Sequence, residues 1–165
     1  MWFEEPTSQE NVGEMKYVRD RVNIPIATGE RLYTKFPFYE LVKADAVDVL
    51  QPDIANAGGI TELKKIAAIA EARHVNMAPH NTCSAVGTMA ECQLDVTMTN
   101  FLIQEYHAQF YSPWYIDAFE GFPVQKDGYI TLPKGPGLGI TPNDELIAAH
   151  GYVPAKSGRR HRRRI

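Results

Sequence analysis

Short apolar runs alternate with helical patterns along most of the chain. The runs at residues 2–3, 24–27, 46–50, 75–79 and 101–104 are largely apolar throughout, which is typical of strands covered on both faces. Between them, apolar side chains recur at helical spacing. The sequence therefore predicts repeated units of strand, loop, helix and loop, the pattern of an α/β fold.

Four helices are expected between these strands. Residues 9–19 and 84–97 carry apolar positions at helical spacing, and residues 36–43 form a shorter segment. The strongest pattern covers residues 61–73, with Thr61 as the expected N-cap. The apolar stripes are Val12, Met15 and Val18 in the first helix, Leu63, Ile66, Ala67, Ile69 and Ala70 in the strongest, and Val86, Met89, Ala90 and Leu94 in the last.

An ionisable residue follows each predicted strand, at steps of roughly 25 residues, about the length of one strand–helix unit. These residues are Glu4, Glu30, Asp53, His80 and Glu105. In a parallel β/α barrel, the carboxyl ends of the strands meet at one mouth, where the chemistry takes place. The spacing therefore predicts that five ionisable groups surround a common site.

The length of the chain limits the architecture. A complete β/α barrel has eight strands in about 250 residues, whereas this chain has 165 residues and five predicted strands. It is either another open α/β sheet or the later part of a barrel. Because a predicted strand stands at its very start, we expect a truncated barrel, with residues 1–150 as the barrel portion and residues 151–165 as a separate tail.

Composition agrees with an ordinary globular protein, with 44% hydrophobic and 22% charged residues. No apolar run of about 20 residues could span a bilayer, and no signal peptide is visible. We therefore expect a cytoplasmic location and no membrane partner. Cys83 and Cys92 are expected to be free thiols without a metal role.

The tail is strongly basic. Residues 156–165 hold six of the 17 Lys and Arg residues and no acid, against a net charge of −3 for the whole chain. Such a run can bind nucleic acid or an anionic surface. No stacking aromatic side chains or nucleic-acid motif accompany it, so we expect a disordered end rather than a nucleic-acid-binding element.

Glu4 and Glu30 are the candidate metal ligands. Their carboxylates lie at neighbouring predicted strand ends, and Mg²⁺ prefers such hard oxygen ligands. Each alone is also compatible with a helix cap or a solvated loop charge, and a third acid would normally complete the set.

Asp53 and His80 are a candidate catalytic pair. A carboxylate that binds one imidazole nitrogen fixes the tautomer and makes the other nitrogen a better base. Alternatively, Asp53 caps the following helix or anchors the turn at residues 57–59, and His80 is structural. Glu105 either protonates or hydrogen-bonds a developing oxyanion, or it only balances charge. A metal opposite a His base and a carboxyl group suits removal of a proton next to a carboxylate, because the enediolate needs concentrated positive charge.

Seven short motifs occur in a fixed order along residues 2–141. They are Trp2-Phe3-Glu4-Glu5-Pro6, Thr28-Gly29-Glu30, Gln51-Pro52-Asp53, Ala57-Gly58-Gly59-Ile60-Thr61, Ala78-Pro79-His80, Ile103-Gln104-Glu105 and Lys134-Gly135-Pro136-Gly137-Leu138-Gly139. Together they resemble the mandelate racemase branch of the enolase superfamily, and within it the sugar-acid dehydratases of the galactonate and gluconate type.

The resemblance implies a carbon–oxygen lyase, in which Mg²⁺-dependent dehydration converts an aldonate to a 2-keto-3-deoxy acid. Glu4 and Glu30 would hold the metal ion. His80 would remove the α-proton. Glu105 would contact the substrate carboxylate or the enediolate, and His107 is expected near the substrate on the following loop. A family member of full length is expected to be a homo-oligomer.

The resemblance also implies missing parts. The capping domain, the first three barrel strands, and the Asp ligand and second His that precede Glu4 have no counterpart here. We therefore expect the C-terminal portion of such an enzyme, inactive alone, with open strand edges that could pair in a dimer of partial barrels.

Two other functions stay open at this point. One is a racemase or cycloisomerase on the same scaffold, and the other is a non-catalytic fragment whose basic tail binds nucleic acid. The motif residues around His80 and Glu105 favour a dehydratase. Tyr111, Trp114 and Tyr115 are expected to pack the exit loop rather than line a substrate pocket.

Overall fold

A four-stranded parallel sheet forms the centre of the molecule. The computed structural model describes residues 1–151, apart from the side chain of Gln109. The strands are β1 (Phe3–Glu4), β2 (Ile26–Thr28), β3 (Val49–Leu50) and β4 (Asn76–Met77). They pair in chain order, and every pair is parallel. The carboxyl ends of these strands therefore lie at one edge of the sheet.

Helices connect the strands in the predicted order. They are α1 (Val12–Arg19), α2 (Lys35–Lys43), the short α3 (Ile54–Ala57), α4 (Gly59–Glu71) and α5 (Ala85–Asp95). Parallel neighbours joined by helical crossovers are the arrangement predicted for part of a β/α barrel.

The main core lies between the helices and one face of the sheet. Alternate strand residues point to opposite faces: Ile26, Leu50 and Met77 belong to the helix-side core, whereas Ala27, Val49 and Ala78 form a second, smaller cluster. Burial of each large apolar side chain stabilises the fold by roughly 1.5–3 kcal/mol. The other fully buried large apolar side chains are Met15, Phe38, Leu41, Val47, Leu63, Ile66 and Met89.

Helix α4 confirms the predicted apolar stripe but not the predicted cap. Leu63, Ile66, Ala67 and Ala70 are buried. The helix begins at Gly59, not after Thr61, because α3 ends at Ala57 and the single residue Gly58 caps both helices. Gly58 has φ of 120°, which permits the sharp change of direction between the two helices.

Helix α5 confirms the prediction only in part. Met89 and Leu94 are buried, but Val86 is 40% exposed. The buried face instead includes the polar residues Thr88, Glu91 and Asp95. The apolar pattern made no prediction for these polar positions. Thr88 hydrogen-bonds to the side chain of Asn81, and Glu91 hydrogen-bonds to the amide of Ile54 and to Gln104.

The predicted fifth strand is reduced to a single bridge. Phe101 makes an isolated parallel bridge with Met77, and no ladder extends from it. The segment still runs beside β4, since the amide of Met77 donates to the carbonyl of Asn100 and the amide of Leu102 donates to Met77. Glu105 is thereby carried to the same edge of the sheet as the other strand ends.

The remaining described residues form small elements that the sequence pattern did not predict. A 3₁₀ turn (Ala108–Phe110) and α6 (Pro113–Asp117) precede two antiparallel pairs, and α7 (Asp144–Ala149) follows them. The pairs are β5 (Phe119–Glu120) with β8 (Thr141–Pro142), and β6 (Gln125–Lys126) with β7 (Tyr129–Ile130). Asp127 and Gly128, both at positive φ, form the turn between β6 and β7.

Three further predictions concern membrane spans, the cysteines and the basic tail. Within residues 1–151, no helix combines the length and the apolarity required to cross a membrane. Cys83 and Cys92 are free thiols, as predicted. The predicted basic tail lies outside the described residues from position 152 onward.

Candidate active site

Asp53 and His80 lie side by side beyond the ends of β3 and β4. Their backbones form a parallel bridge that continues the register in which Leu50 pairs with Met77. His80 Nδ1 is 2.9 Å from Asp53 Oδ2, so the ring donates its Nδ1 proton to the carboxylate. The predicted pair is therefore formed, and His80 Nε2 is the nitrogen left free for chemistry.

The other oxygen of Asp53 caps a helix. Asp53 Oδ1 accepts hydrogen bonds from the amides of Ala55 at 2.7 Å and Asn56 at 3.0 Å at the start of α3. The sequence left the cap and the pairing with His80 as alternatives, but one carboxylate makes both contacts through different oxygens. The cap fixes the orientation of the carboxylate that holds His80.

The two partners shift each other's pKa in opposite directions. The hydrogen bond to Asp53 raises the pKa of His80 against the effect of burial, and the charges of Glu105 and Glu30 raise it further. For Asp53, burial raises the pKa, but the hydrogen bonds from His80 and from the α3 amides outweigh it and lower the pKa below its usual range. The pair therefore favours an ionised Asp53 with a basic imidazole.

Two further carboxylates lie near the free nitrogen of His80. Glu30 Oε2 is 3.5 Å from His80 Nε2, and Glu105 Oε2 is 3.9 Å from the same nitrogen. Glu30, His80 and Glu105 follow three different strand segments and are at least 25 residues apart in sequence. The structure thus brings together four of the five residues that the sequence placed around one site: Glu30, Asp53, His80 and Glu105.

Glu105 is held by two neighbours. Its Oε2 accepts a hydrogen bond from the amide of Asn81 at 2.7 Å, and its Oε1 is 2.6 Å from His107 Nε2. The side chain of Asn81 is 1% exposed and donates to the carbonyl of Glu105. The residue after His80 therefore sets the position of Glu105, and His107 lies beside it as expected for the loop.

A tight turn carries Glu30 to the site. Gly29 has φ of 139°, and a Cβ atom there would lie 2.7 Å from the Phe38 ring, so the turn requires glycine. Glu5 holds the same turn, since its carboxylate accepts hydrogen bonds from the Thr28 hydroxyl, the Gly29 amide and Arg31. Glu5 therefore has a structural contact here, distinct from its neighbour Glu4.

Glu4 lies at the same edge but has other partners. Its Oε2 accepts hydrogen bonds from Trp2 Nε1 at 2.8 Å and from Gln51 Nε2 at 2.7 Å. Gln51 directly follows β3, so this bond reaches across the strand ends. Glu4 and Glu30 do not, within residues 1–151, form part of a group of three ligating side chains close enough to share one metal ion.

Such a group does occur at Asp53, Cys83 and Glu91, whose ligand atoms lie within 4.8 Å of one another. Cys83 Sγ is 3.6 Å from Asp53 Oδ1. Burial raises the pKa of the Cys83 thiol to about 12, and the charges of Glu91 and Asp53 act in the same direction. A protonated thiol is a poor metal ligand, so Cys83 acts here as a weak hydrogen-bond donor to Asp53.

The aromatic residues of the exit segment support the loop after His80. The Tyr111 hydroxyl donates to the carbonyl of Cys83 at 2.6 Å, and the Tyr115 hydroxyl accepts from the amide of Ala85 at 3.0 Å. Trp114 stacks on His150, with ring centroids 4.2 Å apart. These contacts are the packing role expected of the three aromatic residues.

Glu91 and Asn81 are the site residues that sequence reasoning missed. Glu91 is fully buried, and its carboxylate accepts hydrogen bonds from the amide of Ile54 at 2.9 Å and from Gln104 Nε2 at 3.0 Å. Burial raises the pKa of Glu91 to about 9. One feature of the sequence could have indicated that Glu91 is buried. Glu91 lies one helical turn after Thr88, on the face of α5 that also carries Leu94 and Asp95.

Comparison with protein families gives one broad match. The model of the family described as "Enolase C-terminal domain-like" matches residues 1–146. Among curated relatives, the D-xylonate dehydratase of Haloferax volcanii is 36% identical over 149 residues, which cover 90% of this chain and 36% of that protein. The D-gluconate/D-galactonate dehydratase of Picrophilus torridus is 39% identical over 148 residues, which cover 89% and 37%.

Solved structures show the same similarity. A mandelate racemase/muconate lactonizing enzyme from Jannaschia sp. CCS1 aligns with a TM-score of 0.86 at 36% identity, covering 94% of this chain and 39% of that one. A mandelate racemase/muconate lactonizing enzyme-like protein from Rubrobacter xylanophilus aligns with a TM-score of 0.86 at 39% identity, covering 93% and 39%. The chain therefore spans well under half the length of these relatives.

Proposed function

The chain belongs to the enolase C-terminal domain-like family, as part of a TIM-type barrel, and from that premise we propose that it carries the proton-abstracting half of a sugar-acid dehydratase. Curated relatives named as dehydratases of xylonate, gluconate and galactonate support this class. Neighbours named as mandelate racemase/muconate lactonizing enzymes belong to the same family, so a racemase or cycloisomerase is the alternative reaction.

The observation that carries the proposal is the surroundings of His80. Its Nδ1 is bound to Asp53 at 2.9 Å, and its Nε2 faces Glu30 at 3.5 Å and Glu105 at 3.9 Å. His80 Nε2 removes the α-proton of the bound acid, and Asp53 holds the ring in the tautomer that leaves this nitrogen free. A satisfied structural histidine would not need a half-buried ring whose second nitrogen points at two further carboxylates.

Glu105 acts beside His80, with its Oε2 3.9 Å from His80 Nε2. Its position is fixed by the amide of Asn81 and by His107. Its carboxyl group contacts the substrate carboxylate or the enediolate, the role that the family resemblance implies. His107 holds Glu105 in this position and lies beside the substrate.

Glu4 and Glu30 would hold Mg²⁺. Both are carboxylates at strand ends, and the charged oxygens that Mg²⁺ prefers are the donors present. The Glu4 oxygen Oε2 is already held by Trp2 and Gln51, which orients the carboxylate. Bound Mg²⁺ would supply positive charge to the substrate carboxylate and so make the α-proton easier to remove.

We infer that this chain alone does not complete the dehydration. Two carboxylates are few for an octahedral Mg²⁺ site, and we assign no general acid for the departing β-hydroxyl among the described residues. The proposed product of the complete reaction is a 2-keto-3-deoxy acid. The proposed substrate is a small sugar acid.

The test is a panel of aldonates with and without Mg²⁺, monitored by NMR in D₂O. We expect Mg²⁺-dependent binding of at least one aldonate, weakened at least tenfold in His80→Asn and Glu30→Gln, with no 2-keto-3-deoxy product. Glu145→Gln, an exposed change on α7, is the matched control. Absence of aldonate binding, or equal binding by His80→Asn, would overturn the proposed function. Product formation would overturn the inactivity of this chain.

A further inference from the structure

The buried carboxyl group of Glu91 lies within 4.8 Å of the carboxylate of Asp53, behind the candidate active site. It is 0% exposed, although a glutamate in the middle of a helix is normally a surface residue. Burial of such a group is unfavourable unless each of its oxygens has a partner. Both oxygens of Glu91 do have one, and the partners belong to different segments.

Each partner of Glu91 is next in sequence to a residue of the site. Oε1 accepts from the amide of Ile54, which directly follows Asp53. Oε2 accepts from Nε2 of Gln104, which directly precedes Glu105. One side chain of α5 therefore connects the strand end that carries Asp53 with the strand end that carries Glu105.

Resting on the proposed function, we propose that Glu91 is a positioning residue that sets the distance between the His80–Asp53 pair and Glu105. The segment around Glu105 is joined to β4 by one isolated bridge and a few backbone hydrogen bonds, so its position depends on side-chain contacts. Asn81 supplies one of these contacts, and Glu91 supplies another through Gln104. Without the support from α5, the separation of 3.9 Å between His80 Nε2 and Glu105 Oε2 would not be maintained.

The charge state of Glu91 agrees with this role. Burial raises its pKa to about 9, and the charges of Asp53 and Asp95 act in the same direction. The group therefore keeps its proton at neutral pH and adds no negative charge beside Asp53. Its contribution is the geometry of two hydrogen bonds, which makes the neutral isostere glutamine a suitable probe.

Two variants separate the two bonds. In Glu91→Gln, Oε1 still accepts from Ile54, while the new NH₂ group faces the NH₂ group of Gln104. Gln104 Nε2 also donates to the carbonyls of Pro79 and Glu105, which hold its amide in place, so the bond to residue 91 is lost. In Glu91→Met, both bonds are lost at similar volume. Residue-specific amide hydrogen exchange by NMR reports each side, through the amide of Ile54 and the amide of Asn81 that donates to Glu105.

We expect exchange at Asn81 to become at least tenfold faster in Glu91→Gln while Ile54 stays protected, and both amides to exchange faster in Glu91→Met. Glu145→Gln is the control and leaves both amides unchanged. If the two Glu91 variants fail to fold, Gln104→Met removes the same link from the other side and gives the Asn81 effect. The proposal is overturned if exchange accelerates equally at amides throughout the chain, or if it changes at neither Ile54 nor Asn81. No sugar acid is used, so this result is independent of the aldonate test.

Discussion

Asp53 Oδ2 lies 2.9 Å from His80 Nδ1, while the other oxygen of the same carboxylate caps helix α3. The start of helix α3 and the orientation of His80 therefore both depend on the side chain of Asp53. The cap prevents rotation of the carboxylate, and the fixed carboxylate prevents rotation of the imidazole.

Substitutions of Asp53 should separate the cap from the pair. Asparagine is as good an N-cap as aspartate, so Asp53→Asn should keep the stability of α3 but present an NH₂ group to His80 Nδ1. Asp53→Ala loses both roles and should be less stable than Asp53→Asn by about 0.5–2 kcal/mol. Urea unfolding measures this difference, and NMR of the imidazole nitrogens reports the tautomer. Equal stability of the two variants would contradict the capping role.

Asp95 should make the protein less stable as pH rises. Burial raises its pKa from 3.8 to about 8, and its Oδ1 has no hydrogen-bond partner. Between about pH 4 and pH 8, the unfolded carboxyl group is ionised while the folded one keeps its proton. The stability that is fully present below the unfolded pKa is therefore lost as pH rises through the folded pKa.

Asp95→Asn removes this dependence. The melting temperature of the variant relative to the wild type should increase steadily from pH 4 to pH 8, because only the wild type has a buried group that must ionise. Thermal unfolding by circular dichroism at several pH values provides the measurement, with Asp117→Asn, an exposed change, as the control. A difference that does not vary with pH would contradict the buried ionisation.

Glu62 should stabilise the start of helix α2 at neutral pH. Its carboxylate accepts from the amide of Lys35 at 3.0 Å and pairs with Lys65 at 3.1 Å. The Lys35 amide first, and then Lys65, lower the pKa of Glu62 to about 2. This stability is present above the unfolded pKa of about 4.5 and is lost as pH falls through the folded pKa.

Glu62→Gln should therefore lower the melting temperature at pH 7 by a few degrees, and the difference from the wild type should shrink as the pH approaches 2. Glu40→Gln is the matched control, since that exposed carboxylate pairs with Lys43 at 3.5 Å within α2. A difference that grows towards low pH would contradict the assigned role of Glu62.

The two cysteines should be unreactive in the folded protein. Burial raises the pKa of Cys83 and of Cys92 to about 12, and the thiolate is the nucleophilic form. Alkylation with iodoacetamide at pH 8 should be at least tenfold slower than in urea, as measured by mass spectrometry. Rapid modification of Cys83 in the folded chain would show that its thiol is ionised beside Asp53, against the arrangement described here.

The sequence predicted most of the barrel portion and most of the candidate site. The spacing of apolar residues and the length of each run identified the four strands of the sheet and the main helices between them. Buried positions in strands and helices recur at characteristic intervals along the sequence. The even spacing of the ionisable residues predicted that Glu30, Asp53, His80 and Glu105 would meet. Their common edge follows from the parallel direction of the strands.

The sequence did not predict which polar residues would be buried. Val86 belongs to the predicted apolar stripe and is exposed, whereas Glu91, for which the sequence made no prediction, is buried. Thr61 was assigned as a cap, but the glycine at position 58 ends one helix and begins the next. These positions belong to α4 and α5, whose packing partners are distant in sequence. The apolar periodicity within a helix does not identify the residues that pack against it.

Residue order by itself determined the alternation of strands and helices and the set of groups delivered to one edge of the sheet. Only the tertiary structure decided that Asp53 serves a helix and His80 at once, and that Glu91 connects two strand ends. A hydrogen bond depends on distances of about 3 Å and on direction, and these are set by the packing of α5 against distant loops.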